Sequence, residues 1–249
     1  MVAKPLLSGK HFHHQCGDKP LDLIKNRAAK PQDSAAGVPA HEQVYRRLRA
    51  QILFGELAPG QAVTIQGLTE SLGAGMTPVR EAIRRLISDG ALVFQGNRRV
   101  SVPLLTREDV EELIYVRKSI ESELTRRATR QMDPDTLARL VEIDGHLDAA
   151  IEAGDVGGYL ERNHEFHELI YARAGAPIMT DLADRLWLRF GPSLRVVCGR
   201  FGTQNLPDRH KDMLRALEAG DAEAAAHAME QDVEQGMQMV AEALAARRS

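Results

Sequence analysis

From Thr106 onward the chain reads as helix after helix, with no segment that alternates apolar and polar residues as a strand does. Thr106, Asp133-Pro134, Asp155 and Asp221 are start signals, because a side-chain oxygen there accepts one of the free N–H groups of a first turn, and Gly154 and Gly220 are stops. The spacing predicts helices near 106–131, 135–153, 155–175, 178–199, 206–219 and 221–247, the fourth kinked at Pro192. Helices without strands can bury their apolar stripes only on one another. The expected architecture over 104–249 is therefore an all-α, six-helix antiparallel bundle.

Residues 40–103 obey another pattern. Val44, Leu48, Ile52 and Leu57 recur at helical spacing over 41–57, and Leu57-Ala58-Pro59-Gly60 breaks that helix. A short helix follows from Thr64, as N-cap, to Gly73. After the turn Gly73-Ala74-Gly75-Met76, a third opens with Thr77 as N-cap and Pro78 at its first position. It buries Val79, Ile83, Leu86 and Ile87, ends at Gly90, and carries Arg80 and Arg84 outward with Arg85 beside them. Strands around 92–94 and 100–102 flank Gly96-Asn97-Arg98-Arg99, a hairpin with a basic tip. Three helices and a hairpin make a winged helix-turn-helix. Its exposed helix N-terminus suits phosphates, and its arginines suit guanine edges in the major groove. By pattern alone, a small helical domain with merely solvated arginines competes with that reading.

Charge supports a division of labour. Lys and Arg outnumber Asp and Glu by 6 to 3 over residues 1–39 and by 8 to 5 over 40–103, but trail by 18 to 27 over 104–249. A basic front faces a polyanion and an acidic back is repelled by one. Residues 1–39 lack periodicity and are expected to be a disordered tail, where His11, His13, His14 and Cys16 could capture a metal adventitiously. No apolar run approaches the roughly 18 residues of a membrane span, and the N-terminus makes a poor secretory signal, so a cytoplasmic protein is expected. Cys16 and Cys198 lie far apart, which excludes a disulfide framework or a cysteine zinc site.

The stretch from Val44 to Pro103, above all L-T-E-S-L-G-A-G-M-T-P-V-R-E-A-I-R-R-L-I-S-D-G-A-L-V from Leu68 to Val93, resembles the DNA-binding domain of the GntR family of bacterial transcription regulators. The later chain resembles the helical FCD effector domain of its FadR subfamily. The resemblance implies that Thr77 and Arg80 touch DNA and that the wing enters or flanks the minor groove. With the pattern it gives the expected DNA-contacting set as Arg46, Gln66, Thr77, Pro78, Arg80, Arg84, Asn97, Arg98 and Arg99. Two places depart from the family pattern: Gly75-Met76 stands where Ser-Arg is usual, and Arg99 where a glycine is common.

Inside the bundle, Asn163 and His167 fall on the stripe of Val156, Tyr159, Leu160, Phe166 and Ile170. His210 shares a face with Met213, Leu214 and Leu217, and Asp232 sits near Met229 and Val233. Polar side chains aimed at a core cost about 1–3 kcal/mol each if unpaired. Four inward ligands from three helices suit a divalent ion such as Zn, Ni or Mn, the alternative being four separately hydrogen-bonded residues. Metal-binding FCD domains carry D-x-x-x-H on one helix and a histidine on each of two later ones. His167 and His210 match that pattern, while Asn163 replaces the aspartate and Asp232 the last histidine. The resemblance also implies that Arg117, in Y-V-R-K-S-I-E, holds a small carboxylate metabolite, unless it pairs internally with Glu121. Arg195 and Arg189 are further effector candidates.

The expectation is a ligand-responsive repressor that acts as a homodimer on palindromic double-stranded operator DNA. One alternative is a regulator with a purely structural metal or polar cluster and no effector. A metal-dependent enzyme is the remote alternative. No second acid or base, Ser-His or Cys-His pair, or Gly-rich phosphate loop accompanies the metal-ligand set, so no catalysis is expected.

Overall fold

The computed structural model describes residues 38–95, 99–201 and 209–246, and Val38–Ser249 forms one compact unit. The tail expected over 1–39 lies outside the described residues up to position 37, as do the wing residues Asn97 and Arg98. The front is built from α1 (Ala40–Leu53), β1 (Ala62–Val63), α2 (Ile65–Leu72), α3 (Met76–Ser88), β2 (Val93–Gln95) and β3 (Arg99–Ser101). The back follows as α4 (Arg107–Thr129), α5 (Pro134–Ala153), α6 (Val156–Arg173), α7 (Pro177–Phe201), α8 (Arg209–Glu218) and α9 (Ala222–Ala245). The chain is mostly helical, with a winged helix-turn-helix ahead of a six-helix bundle. Among the described residues no helix is long and apolar enough to cross a membrane.

The caps explain most of these boundaries. Thr64 accepts Gly67 N–H at the start of α2. Thr106 and Asp109 exchange both bonds of a capping box at α4. Asp133, Asp155 and Asp221 accept the N–H groups of Thr136, Gly158 and Ala224.

Two boundaries and one strand differ from expectation. The first helix stops at Leu53 and not at 57, because Gly55 takes a left-handed conformation (φ 68°) and turns the chain away. The third begins at Met76 with Gly75 as its N-cap, which leaves Thr77 and Pro78 inside the first turn. Proline costs nothing there, since that turn's N–H groups have no partner within the helix. The two-residue β1, too short to alternate, adds a third strand in the order β1-β3-β2. β2 and β3 pair antiparallel, with Gln95 opposite Arg99 at the wing.

Leu48 and Ile52 of α1, Val79 and Leu86 of α3, and Leu92 and Val102 beside the sheet close the front core. Behind it, α9 packs on α4 and α8, and α6 packs on α5 and α4. α7 touches α4, α6 and α9, and also reaches forward to α1. At that joint Gly191 lies so close to Leu53 that a Cβ would run into its carbonyl oxygen. Arg49 pairs with Asp184, and Arg195 donates to Phe54 O at 3.3 Å. Pro192 sits inside α7 and cannot supply the N–H that would bond the Leu188 carbonyl.

Gly55 must be glycine for two reasons. Its φ is positive, and a Cβ would lie 2.6 Å from Arg195 Cβ. Gly55→Ala is expected to lose at least about 2 kcal/mol, combining the left-handed penalty with the clash. Thermal unfolding should register this as a fall in Tm of about 4 °C or more.

Candidate metal centre and nucleic-acid interface

The outer face of α3 is cationic and uncommitted. Val79, Ala82, Ile83 and Leu86 point into the core, which rotates Thr77, Arg80 and Arg84 out to solvent. Neither Arg80 nor Arg84 has an ion-pair or hydrogen-bond partner among the described residues. Gly75 offers no capping side chain, so the first turn presents bare N–H groups and a positive dipole end. Arg85 is different: it bonds Glu42 at 2.8 Å and lies 3.6 Å above the Tyr45 ring, which fastens α3 to α1. Arg46 shares the same glutamate (2.8 Å), Gln66 bonds Glu70 (3.2 Å), and Arg99 is exposed on the wing.

Deep in the bundle, His167 of α6, His210 of α8 and Asp232 of α9 bring their ligand atoms within 4.8 Å of one another. His167 Nε2 faces Asp232 Oδ2 at 3.2 Å, and His210 Nε2 faces Oδ1 at 3.8 Å. The other edge of each ring has its own support. Tyr171 donates its hydroxyl proton to Glu121 (2.6 Å), so its oxygen accepts from His167 Nδ1 at 3.1 Å, and Nδ1 carries the ring proton. In the neutral ring Nε2 then keeps its lone pair, and the atom is buried without a hydrogen-bond partner. A lone pair and a carboxylate oxygen 3.2 Å apart repel unless a proton or a metal cation lies between them.

His210 Nδ1 points at Asp144 Oδ1 (3.6 Å), another buried atom without a hydrogen bond, and Phe166 stacks on the ring at 4.2 Å. A carboxylate or hydroxyl behind each imidazole is the outer shell that metal-binding histidines use. Two imidazole nitrogens and a carboxylate fit a divalent ion with ligand bonds of ~2.1 Å after small inward shifts. Burial alone would raise the Asp232 carboxyl, yet the neighbouring His167 and His210 rings and the Arg117 guanidinium hold it down at about 2. It is therefore ionised and ready to ligate.

The effector candidates divide. Arg117 is buried and clasped by Glu121 through Nε–Oε1 at 2.6 Å and Nη2–Oε2 at 3.0 Å, with its guanidinium 3.8 Å above the Phe190 ring. Burial works against the cation, but Glu121 keeps it charged. Arg117, Asn163, Trp187, Cys198 and Asp232 line a cavity of about 40 Å³, room for little more than water. Asn163 is buried at this wall and is not one of the three converging ligands. Arg195 and Arg189 do not reach the cavity. Arg195 lies one turn beyond Gly191 and is turned to α1, and Arg189 is exposed beside Gly90. Sequence reasoning missed Tyr171 and Asp144, although Tyr171 follows His167 by one helical step on the same stripe.

A wider cleft of about 620 Å³ opens between α1 and α3 on one side and α6 and α7 on the other. Its floor includes His164, 7% exposed, whose ring meets Phe54 edge-on at 5.9 Å and Trp187 at 5.0 Å. Burial, and then the charge of nearby Arg49, push this imidazole down to about 3.

Comparison with known proteins places both halves. The family described as bacterial regulatory proteins, gntR family, matches residues 40–102, and the FCD domain matches 112–235. The HTH-type transcriptional regulator McbR of Escherichia coli K12 is 31% identical over 198 residues, covering 78% of this chain and 90% of that protein. The HTH-type transcriptional repressor RspR of the same organism is 25% identical, covering 79% and 87%. Among solved structures, E. coli McbR/YncC superposes with a TM-score of 0.77 at 30% identity, covering 83% of this chain and 99% of that one. A putative GntR regulator from Rhodococcus sp. RHA1 gives 0.67 at 26%, covering 82% and 98%.

The buried His164 makes a prediction about acid. Between its unfolded value near 6.5 and its folded value of about 3, only the unfolded chain binds the proton, so stability falls as pH drops through that window. At pH 5 the loss from this group is about 2 kcal/mol. Denaturant unfolding between pH 7 and pH 5 should be correspondingly less pH-dependent in His164→Leu than in the unaltered chain. Parallel profiles would remove this assignment.

Proposed function

The chain belongs to the GntR family and is a transcription regulator with an FCD effector domain, and on that premise we propose that it is a metal-assisted repressor responding to a small carboxylate. In this reading two copies associate and present two α3 helices to the halves of a palindromic operator. Thr77, Pro78, Arg80 and Arg84 enter the major groove. Arg46, Gln66 and the wing residues Asn97, Arg98 and Arg99 meet the backbone or the minor groove. The single observation that supports the DNA-reading face best is the exposure of Arg80 and Arg84 without partners, while their neighbour Arg85 is spent on Glu42 and Tyr45.

That contrast gives a test. Arg80→Ala should weaken binding to the duplex upstream of the regulated genes at least tenfold, the size of a lost bidentate base contact of about 1–3 kcal/mol. Arg85→Ala should weaken it less and lower Tm instead. Gel retardation with calorimetry separates the two, and equal retardation by Arg80→Ala and the unaltered chain would count against the interface.

For the centre, the supporting observation is His167 Nε2, a buried nitrogen without a hydrogen bond that faces Asp232 at 3.2 Å, its ring oriented from behind by Tyr171. His167, His210 and Asp232 would hold a divalent ion such as Zn, Ni or Mn, with Asn163 at its edge. Bound there, the ion supplies concentrated positive charge with positions open to oxygen ligands. Tyr171 and Asp144 fix the two rings, and Arg117 offers its remaining N–H groups toward the cavity. The relatives are regulators, so the centre is read as a sensor and not as a catalyst. The cavity of about 40 Å³ favours a second reading, in which the metal is structural and no metabolite enters.

Protein purified without a histidine tag should carry about one divalent ion per chain by elemental analysis, lost in His167→Ala and in Asp232→Ala. Thermal shifts with a panel of small carboxylates then divide the readings: a true effector raises Tm with its concentration, and a structural plug leaves Tm unmoved.

A further inference from the structure

One side chain stands between the polar centre and the cleft beside the DNA-binding domain. Trp187, the only tryptophan of the chain, is 3% exposed and forms wall for both the small inner cavity and the wide cleft beside α1 and α3. On its inner side lie His167, with ring centroids 5.2 Å apart, and the Arg117 guanidinium at 5.2 Å. On its outer side it meets His164 edge-on at 5.0 Å, and His164 meets Phe54, the residue that closes α1, at 5.9 Å. Three rings thus run without a gap from a candidate metal ligand to the end of the first helix of the DNA-binding domain.

The helix that carries Trp187 grips the same place directly. Asp184, Trp187, Gly191 and Arg195 are spaced three, four and four apart, which puts them on one face of α7. Asp184 pairs with Arg49, Gly191 seats against the Leu53 carbonyl, and Arg195 bonds the Phe54 carbonyl. Beyond this joint α1 carries α3 with it, through Tyr45 to Asp89 at 2.9 Å and Arg85 to Glu42 at 2.8 Å. Pro192 interrupts the hydrogen-bond ladder of α7 one residue after Gly191, so the helix can pivot at the level of the contact.

We infer that α7 is the transmitting element of this regulator: Trp187 and His164 pass a displacement of the His167 ring to Phe54, and the Gly191 contact converts it into a movement of α1 and hence of α3. This rests on the metal reading of the centre given above. The physical basis is that a close-packed interior does not absorb a shift by compression. An ion that draws His167, His210 and Asp232 together must therefore displace or stiffen the rings packed on them.

Hydrogen exchange on the full chain, with zinc as the only added ligand, tests it. Zinc should slow the amides of the last turn of α1, in peptides spanning residues 48–57, by about fivefold or more. Gly191→Ala drives a methyl into the Leu53 carbonyl, and Phe54→Leu removes the ring that meets His164. Neither touches the metal ligands, so both should bind zinc with unchanged stoichiometry and an affinity within about threefold, yet lose the slowing in α1. If Gly191→Ala does not fold, Phe54→Leu carries the test. Zinc bound at one per chain with α1 exchange unchanged overturns this inference while leaving the centre intact, and so does full slowing retained in the folded variants. Failure of zinc to bind, or binding that survives His167→Ala, overturns the reading of the centre and this inference with it.

Discussion

Charge neutralisation deep in a helical bundle is the constraint around which the back half of this regulator is organised. Arg117 and Glu121 of α4, Tyr171 and His167 of α6, Asp232 of α9, His210 of α8 and Asp144 of α5 form one continuous chain of polar contacts. A single buried charge costs several kcal/mol, and its partner returns that only if the remaining donors and acceptors are also met. The chain meets that demand at the Arg117 end, where every distance is that of a good hydrogen bond. It fails at the histidine end, where His167 Nε2 and Asp144 Oδ1 have polar neighbours but no hydrogen bond. The unmet demand is concentrated where a divalent ion would satisfy it.

That asymmetry bears on what can be sensed. With Glu121 already bidentate on Arg117, a carboxylate reaching the cavity cannot take that guanidinium edge without expelling a buried glutamate. Any carboxylate that does bind would have to use a metal held by His167, His210 and Asp232, and the remaining N–H groups of Arg117. For that the walls formed by α7 and α9 must part, because the enclosed space is about 40 Å³. On the proposed reading, such an effector would act by selecting a more open bundle, and its effect on DNA would be limited by how much better it binds that form than the closed one.

Much of this was legible in the sequence because caps and periodicity are local. The starts at Thr64, Thr106, Asp133, Asp155 and Asp221 rest on a side chain bonding an amide two or three residues away, a geometry the sequence fixes by itself. The stripe of α6 likewise carried Asn163 and His167 inward as expected. Other features were not local. The end of α1 depends on Gly55 turning under Arg195, which is 140 residues further on. The same contact takes Arg195 away from the small inner cavity, and only the packing of α7 on α1 decides it. Asp144 looked like any acid on a helix surface until α8 set His210 against it.

The exchange of ligand types between Asn163 and Asp232 has a mechanical consequence beyond charge. An aspartate at position 163 would place the anionic ligand on α6, one turn from His167, so that metal binding tied much of its strength into one helix. With the carboxylate on α9, each ligand comes from a different helix, and α6, α8 and α9 must all be held for the set to close. α9 packs on both α4 and α7, and α7 is the helix that reaches forward to α1. The substitution keeps the number of carboxylates while making the centre more dependent on the tertiary arrangement. A site of that kind binds more weakly when the bundle loosens, and by reciprocity its occupancy does more to hold the bundle closed.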